Sequence, residues 1–283
     1  MQIIEHLIAA TKQLEKTSDS PRLDAEVLLA HSLNKNRTWL ITWSDRELTE
    51  PEILNFEKRL TRREKGEPVA HITGSREFWS LDLQVSKDTL IPRPETELII
   101  EKILEQYAQS SDIKVLDLGT GSGAIALALA SERPGWEITA TDKSAAALEI
   151  ANRNAQQLNL NNINFIHGNW FEPFENPSSE NLLFDIIASN PPYIPDQDPH
   201  LSQGDVRFEP MSALASGKDG LNDIRQICQL ASKHLKPGAM LIIEHGFDQK
   251  EELHNIFMHS GYKNISQYTD LTKNPRLTSG INL

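Results

Sequence analysis

The sequence predicts an α/β fold: a doubly wound parallel sheet preceded by a small helical bundle. Three observations carry this. Residues 113–118 read as a buried strand that runs through the turn Gly119-Thr120-Gly121-Ser122-Gly123 into the helix-forming stretch 124–131. After Pro94, strand-like and helix-like runs alternate, with Val115, Ile138, Phe165, Ile186 and Leu241 near the strand centres. Before Gly66, apolar residues recur instead at helical spacing.

In chain order, Ile3, Ile4, Leu7 and Ile8 mark a first helix. Ser20 before Pro21 reads as an N-cap and first-turn proline, opening a second helix that continues to about Leu33. Thr49 and Glu52 have capping-box spacing ahead of Ile53, Leu54, Phe56 and Leu60; that helix closes on Arg62-Arg63-Glu64-Lys65 and Gly66. These helices form a bundle over residues 1–73. The alternation from Arg76 to Val85 predicts a β-hairpin or extended linker within 74–93, and the sheet domain fills 94–283. Its last strands fall near 264–266 and 277–281.

Ligands in such sheets lie at the carboxyl ends of the strands. The turn after the first strand has G-x-G-x-G spacing and lacks the third glycine of the dinucleotide fingerprint, which argues against a pyrophosphate ligand. The next strand, Trp136-Glu137-Ile138-Thr139-Ala140-Thr141, ends at Asp142, an acid placed where ribose hydroxyls are received. Adenosine without phosphates fits both facts.

A second site signal follows the apolar run 184–189. Asn190-Pro191-Pro192-Tyr193 makes a stiff, polar-tipped strand exit: two successive prolines fix φ, and Pro191 has no N–H, so its main chain only accepts. With the Asn190 side-chain oxygen and the flat Tyr193 ring, the tip suits a planar NH2 group whose two hydrogens must be held.

Composition narrows the classes. The chain has 283 residues, enough for two domains, and 39% hydrophobic content, ample for two cores. A formal charge of -12 and a pI near 5.2 disfavour attraction to nucleic acid phosphate and suit a basic partner. The single Cys228 excludes an internal disulfide framework and reads as a small buried hydrophobe in a helix. No histidine stands at metal-ligand spacing from cysteines or acids, so no metal is expected. The N-terminus lacks a positive segment followed by a long apolar core, and no run approaches membrane-spanning length; a cytoplasmic location is expected.

The run from Val115 to Ala126, Asp142 and Asn190-Pro191-Pro192-Tyr193 together resemble class I methyltransferases that use S-adenosylmethionine to modify amide or exocyclic amine nitrogens. Further stretches narrow the resemblance: Pro68-Val69-Ala70-His71-Ile72-Thr73-Gly74, Glu77-Phe78-Trp79, Ile91-Pro92-Arg93-Pro94-Glu95-Thr96-Glu97, Gly168-Asn169-Trp170, Arg207-Phe208-Glu209-Pro210 and Glu244-His245-Gly246. With these, the chain is similar to the bacterial peptide chain release factor N5-glutamine methyltransferases of the HemK type, densely from Pro68 onward and more loosely before it.

The resemblance implies a Rossmann-like catalytic domain whose seven-stranded, mostly parallel sheet has one antiparallel strand. It implies methyl transfer to the glutamine N5 of the Gly-Gly-Gln motif of class 1 release factors, by a cytoplasmic monomer acting on no nucleic acid and no membrane. Glutamine methylation of a ribosomal protein is an alternative, and DNA adenine N6-methylation a remoter one. In the cofactor set, Gly119, Thr120, Gly121, Ser122 and Gly123 would cradle the methionine part, Asp142 the ribose and Trp170 the adenine, with Asn169 beside it and Asn190 at the methyl end. Asp117 would accept from the cofactor's amino group, orient the glycine turn through backbone N–H bonds, or do both. Asn190 and Pro191 would accept the two amide hydrogens, and Tyr193, with Pro192 beside it, would flank the amide plane. Glu95 and Thr96 suit both the site entrance and the first turn of a helix following proline, and the stretch 196–220 a lid or substrate loop with an Arg207–Glu209 ion pair.

Overall fold

The computed structural model describes residues 1–175 and 182–283. Packing divides them into two units: Met1–Ser75 with Ser202–Phe208, and Arg76–Leu201 with Glu209–Leu283.

The smaller unit consists of α1 (Ile3–Leu14), α2 (Pro21–Leu33), α3 (Arg37–Thr42), α4 (Glu50–Glu64) and α5 (Val69–Thr73). On α1 the buried positions Ile3, Leu7, Ala10 and Leu14 form one stripe and meet Leu28 and Leu29 of α2 and Phe56 and Leu60 of α4. The capping box expected at Thr49 is present: the Glu52 carboxylate accepts from the Thr49 backbone N–H at 2.9 Å. Ser20 precedes Pro21 at the N-cap position as expected but makes no side-chain capping bond; its hydroxyl donates instead to Asp24 Oδ1. Arg63 of α4 is buried between two acids, donating to Asp24 Oδ2 at 2.6 Å and to Asp205 Oδ1 at 2.7 Å. The second bond ties the segment Ser202–Phe208 into this unit, which sequence continuity alone assigns to the sheet domain.

In the larger unit, β1 (Ser75–Phe78) and β2 (Leu81–Gln84) form the hairpin, turning at Trp79 and Ser80, both with positive φ as a two-residue hairpin loop requires. It is not a free linker. Phe78 and Leu83 are buried in the sheet domain's core, and the Asn154 amide brackets Gln84, accepting its N–H at 2.7 Å and donating to its carbonyl at 3.0 Å.

There follow α6 (Glu97–Gln106), β3 (Lys114–Leu118), α7 (Ala124–Glu132), β4 (Glu137–Asp142), α8 (Ala145–Gln157), β5 (Ile163–His167), β6 (Phe184–Ser189), α9 (Asn222–Ala231), β7 (Leu235–Glu244), α10 (Lys250–His259), β8 (Lys263–Thr269) and β9 (Pro275–Ile281). The seven-stranded sheet has the order β5-β4-β3-β6-β7-β9-β8, parallel except for β9, which runs antiparallel to both neighbours. Two apolar layers cover its faces, which is why β3 and β6 read as continuous hydrophobic runs.

From β3 the chain winds outward through β4 and β5, then returns to place β6 beside β3 on the other side. This reversal is the topological switch point. The register pairs Leu118 with Ser189, so the glycine turn after β3 and Asn190 after β6 leave the sheet side by side. No helix among the described residues is long and apolar enough to cross a membrane.

Candidate active site

Both strand exits are pinned. Ser189 Oγ donates to the Leu118 carbonyl at 2.8 Å, and the N–H groups of Gly119 and Thr120 both reach the Thr141 carbonyl at 2.9 Å. Asp142 closes the turn: its Oδ2 accepts from Gly121 N–H at 2.9 Å and its Oδ1 from Ser144 N–H at 2.8 Å. Behind the turn lies Asp117, fully buried. Its Oδ2 accepts from the Thr120 hydroxyl at 2.6 Å and from Ala126 N–H at 3.2 Å, so it orients the turn, while its Oδ1 has no partner. Burial foremost, aided by the nearby Asp142 charge, pushes its carboxyl up to about 7.

Trp170 stands over Gly119. A Cβ on Gly119, whose φ is 70°, would lie 3.1 Å from the indole Cζ3, so glycine is needed both for the left-handed backbone and for the close approach. The indole itself is fixed by its Nε1–H, which donates to Asp223 Oδ1 at 3.1 Å; the other Asp223 oxygen takes the Ser216 hydroxyl at 2.6 Å.

These parts enclose an open-mouthed cleft of about 820 Å³, counting the solvent at its entrance. Of the expected residues, Gly119, Gly121, Asp142, Asn169, Trp170, Asn190 and Pro192 line it, joined by Thr89, Ser144, Pro210 and Ser212 among others. Thr120, Ser122, Gly123, Pro191 and Tyr193 do not. Thr120 holds Asp117; Ser122 gives its carbonyl to Asn154 at 2.9 Å; Gly123 is the N-cap of α7, where a Cβ would press on Leu127 and Ala151.

The Asn190 carboxamide is oriented from behind. Its Nδ2 donates to Thr96 Oγ1 at 3.0 Å, and the Thr96 hydroxyl donates to Glu244 Oε2 at 2.7 Å. Asn190 Oδ1 is buried from water yet unpartnered, an acceptor on a residue that lines the cleft. Tyr193 turns its hydroxyl inward to Glu244 Oε1 at 3.3 Å and gives its carbonyl to Gln249 Nε2 at 2.9 Å. Gly220 lets that carbonyl come close, since a Cβ there would fall 2.2 Å from it. Burial raises the Tyr193 phenol and pushes Glu244 up to about 7.

The loop after the tip differs from expectation in one pairing. Glu209 does not pair with Arg207: its buried carboxylate takes the Arg93 guanidinium at 2.5 Å and Ile91 N–H at 2.9 Å, whereas Arg207 donates to the Lys65 carbonyl at 2.9 Å within the smaller unit. Cys228 is buried in α9, which raises its thiol and leaves it a packing residue, as its surroundings predict.

Comparison with known proteins fits this geometry. Residues 5–74 match the family model described as the PrmC N-terminal domain and residues 109–274 that of a methyltransferase domain. The release factor glutamine methyltransferase of Vibrio cholerae is 49% identical over 275 residues, spanning 97% of this chain and 94% of that protein. That of Escherichia coli is 45% identical over 280 residues, 99% of each. The chain belongs to the release factor glutamine methyltransferase family.

Solved structures carry the fold beyond the family. A methyltransferase from Pyrococcus furiosus superposes with a TM-score of 0.54 at 18% identity, covering 80% of this chain and 98% of its own. A Thermus thermophilus 16S rRNA methyltransferase, in complex with AdoMet and guanosine, does so with a TM-score of 0.53 at 18% identity, covering 74% of this chain and 50% of its own. At such identity the likeness concerns the class I methyltransferase fold alone.

Two residues behind the tip make hydrogen bonds that the sequence reading does not anticipate. Thr96 reads as a residue of the site entrance and of a helix's first turn, and Glu244 as one letter of a resembling triplet. Both lie behind the tip, and the local pattern carries no signal for a hydrogen bond formed across the fold.

Proposed function

We propose that this chain transfers a methyl group from S-adenosylmethionine to the N5 nitrogen of the glutamine in the Gly-Gly-Gln motif of class 1 release factors. One observation carries the reading: Asn190 Oδ1, buried and without a partner, at the strand exit adjoining the glycine turn. A buried acceptor left open costs about 1–3 kcal/mol, so a ligand hydrogen is its natural complement.

The residues present fit the cofactor. The turn at Gly119 and Gly121 allows close backbone approach, Asp142 offers its remaining lone pairs to ribose hydroxyls, the Trp170 ring forms a flat wall for the adenine with the polar Asn169 beside it, and Asp117 Oδ1 is an open buried acceptor. Thr120, Ser122 and Gly123 support the same turn. When bound, the cofactor supplies a methyl group activated on a sulfonium.

The protein's task is to hold a poor nucleophile. A carboxamide nitrogen delocalises its lone pair into the carbonyl, so fixed geometry does more than a proton acceptor acting on the free amide. In this reading Asn190 Oδ1 and the Pro191 carbonyl each accept one amide hydrogen, while Tyr193 and Pro192 flank the amide plane. Holding reactants in near-attack geometry removes roughly 7–11 kcal/mol of a barrier, more than the 10²–10⁴-fold of a positioned general base. Positive charge growing on the substrate NH2 strengthens both hydrogen bonds as transfer proceeds. We also take the chain to act as a cytoplasmic monomer, which sedimentation of the enzyme in extract would test.

The deciding experiment incubates the chain with methyl-labelled cofactor and, separately, a class 1 release factor, its Gln→Asn variant in the Gly-Gly-Gln motif, ribosomal proteins and duplex DNA. Label on the wild-type factor alone is expected. Label only on a ribosomal protein or only on DNA would overturn the substrate assignment. Asn190→Ala is expected to slow transfer while sparing cofactor affinity.

A further inference from the structure

The asparagine at the tip has a problem that its own chemistry does not solve. A carboxamide has two faces of nearly equal size, one accepting and one donating, and a half-turn about its last torsion exchanges them at little steric cost. Only the accepting face can receive an NH2 group; the other would set donor against donor.

Resting on the methyl-transfer reading, we infer that Thr96 and Glu244 are positioning residues that fix which face Asn190 turns to the substrate. Glu244, as a carboxylate, only accepts, and takes O–H groups at both oxygens: Thr96 at 2.7 Å and Tyr193 at 3.3 Å. Thr96 has one proton, and it is already directed at Glu244. What remains on Thr96 Oγ1 is lone pairs, which only a donor satisfies, so Asn190 must present Nδ2 there, at 3.0 Å. Oδ1 is thereby left facing away from Thr96, buried and unpartnered. While Glu244 is ionised, the direction of every proton in the chain Tyr193–Glu244–Thr96–Asn190 follows from one carboxylate that can only accept.

Thr96 is 4% exposed and Glu244 2%, and neither lines the cleft, so both act through Asn190. Their origins agree with such a role: Thr96 lies in the short 3₁₀ turn Pro94–Thr96 before α6, and Glu244 is the last residue of β7, the strand beside β6. The segment carrying Thr96 thus reaches behind the tip that β6 delivers.

The charged and titratable groups facing Glu244 are Tyr193, Glu95 and Arg276. Burial is the largest influence and holds the carboxyl up to about 7. Once protonated, Glu244 can donate to Thr96, Thr96 can donate to Asn190 Oδ1, and the tip can turn over. Methyl transfer by the wild type should therefore fall as pH drops through about 7.

The test uses the full chain, labelled cofactor and purified class 1 release factor. Thr96→Val removes both hydrogen bonds at constant shape and should lower kcat by roughly 10- to 100-fold, as expected when one buried partner is lost. KM for the factor and cofactor Kd should stay within about threefold. Thr96→Ser, which restores the hydroxyl, should recover most of the rate, a rescue that mere packing would not give. Glu244→Gln should lack the acid limb of the kcat profile. A T96V enzyme with wild-type kcat, a T96S enzyme as slow as T96V, or an E244Q enzyme retaining the acid limb would each overturn the inference. Should T96V fail to fold, the serine variant and the E244Q profile still decide. Wild type that labels no release factor would sink the substrate reading itself; an active wild type with unimpaired variants sinks the positioning role alone.

Discussion

Glu209 is a buried carboxylate whose oxygens reach Arg93 at 2.5 Å and the Ile91 N–H at 2.9 Å. It is followed at once by Pro210, which with Ser212 and Ala213 lines the cleft, so the pair anchors one wall to the segment that leads into Thr96. Removing one partner of a buried ion pair leaves an uncompensated charge. Arg93→Ala is expected to destabilise the protein by about 3 kcal/mol, the low end of the usual range because Arg93 is partly exposed. Denaturant unfolding checks this; a change near zero would mean that solvent already compensates Glu209.

Gly119→Ala places a Cβ 3.1 Å from Trp170 at a φ of +70°. Backbone strain alone costs about 1–3 kcal/mol. The indole is held by Asp223 and has little room to yield, so cofactor affinity should fall by more than tenfold. Titration calorimetry on the variant gives the answer, and unchanged affinity would remove Trp170 from the proposed adenine wall.

What was legible in the sequence had local causes. The glycine turn, Asp142 and the Asn190–Tyr193 tip are each defined within a few residues by backbone restrictions and alternation, and the sheet placed them together through its switch point. The contact between Thr96 and Glu244 escaped because it joins residues 148 positions apart, and nothing near either says which buried acid a hydroxyl will meet. The Arg207–Glu209 pairing failed for the same reason: neighbours of opposite charge suggest an ion pair, but Glu209 is drawn inward to Arg93, 116 positions away. The hairpin was recognised by its alternation, yet its apolar face packs on the sheet domain's core, so it is no linker.

In the smaller unit, Arg63 holds Asp24 and Asp205 with its side chain only 6% exposed. Arg63→Ala leaves Asp24 with just the Ser18 and Ser20 hydroxyls, and the loss should be about 3–5 kcal/mol. Hydrogen exchange of α2 and α4 amides reads this unit separately, and faster exchange is expected there. Combining Arg63→Met with Asp24→Leu should recover part of the loss, because no buried charge is then stranded. If the double variant is worse than the single one, packing rather than charge governs the site.

Asp117 and Glu244 give the protein a stability term that falls as pH rises. Burial, the leading cause for both, lifts their carboxyls from 3.8 and 4.5 to about 7 in the folded state. Between these limits the native chain keeps protons that the unfolded chain has released, so stability declines with pH by up to about 1.4 kcal/mol per unit for each group. The contribution is complete below the unfolded values and lost through about 7. Asp270, held down to about 2 chiefly by the Thr272 hydroxyl, acts outside this window: its contribution stands above 3.8 and is lost as pH falls through about 2. His6, His234 and His245, lowered by burial, oppose the trend within the window, so the decisive quantity is a difference. Denaturant unfolding from pH 4 to 8 should show Asp117→Asn/Glu244→Gln losing less stability with rising pH than wild type, and parallel curves would mean that neither acid holds a proton near neutrality.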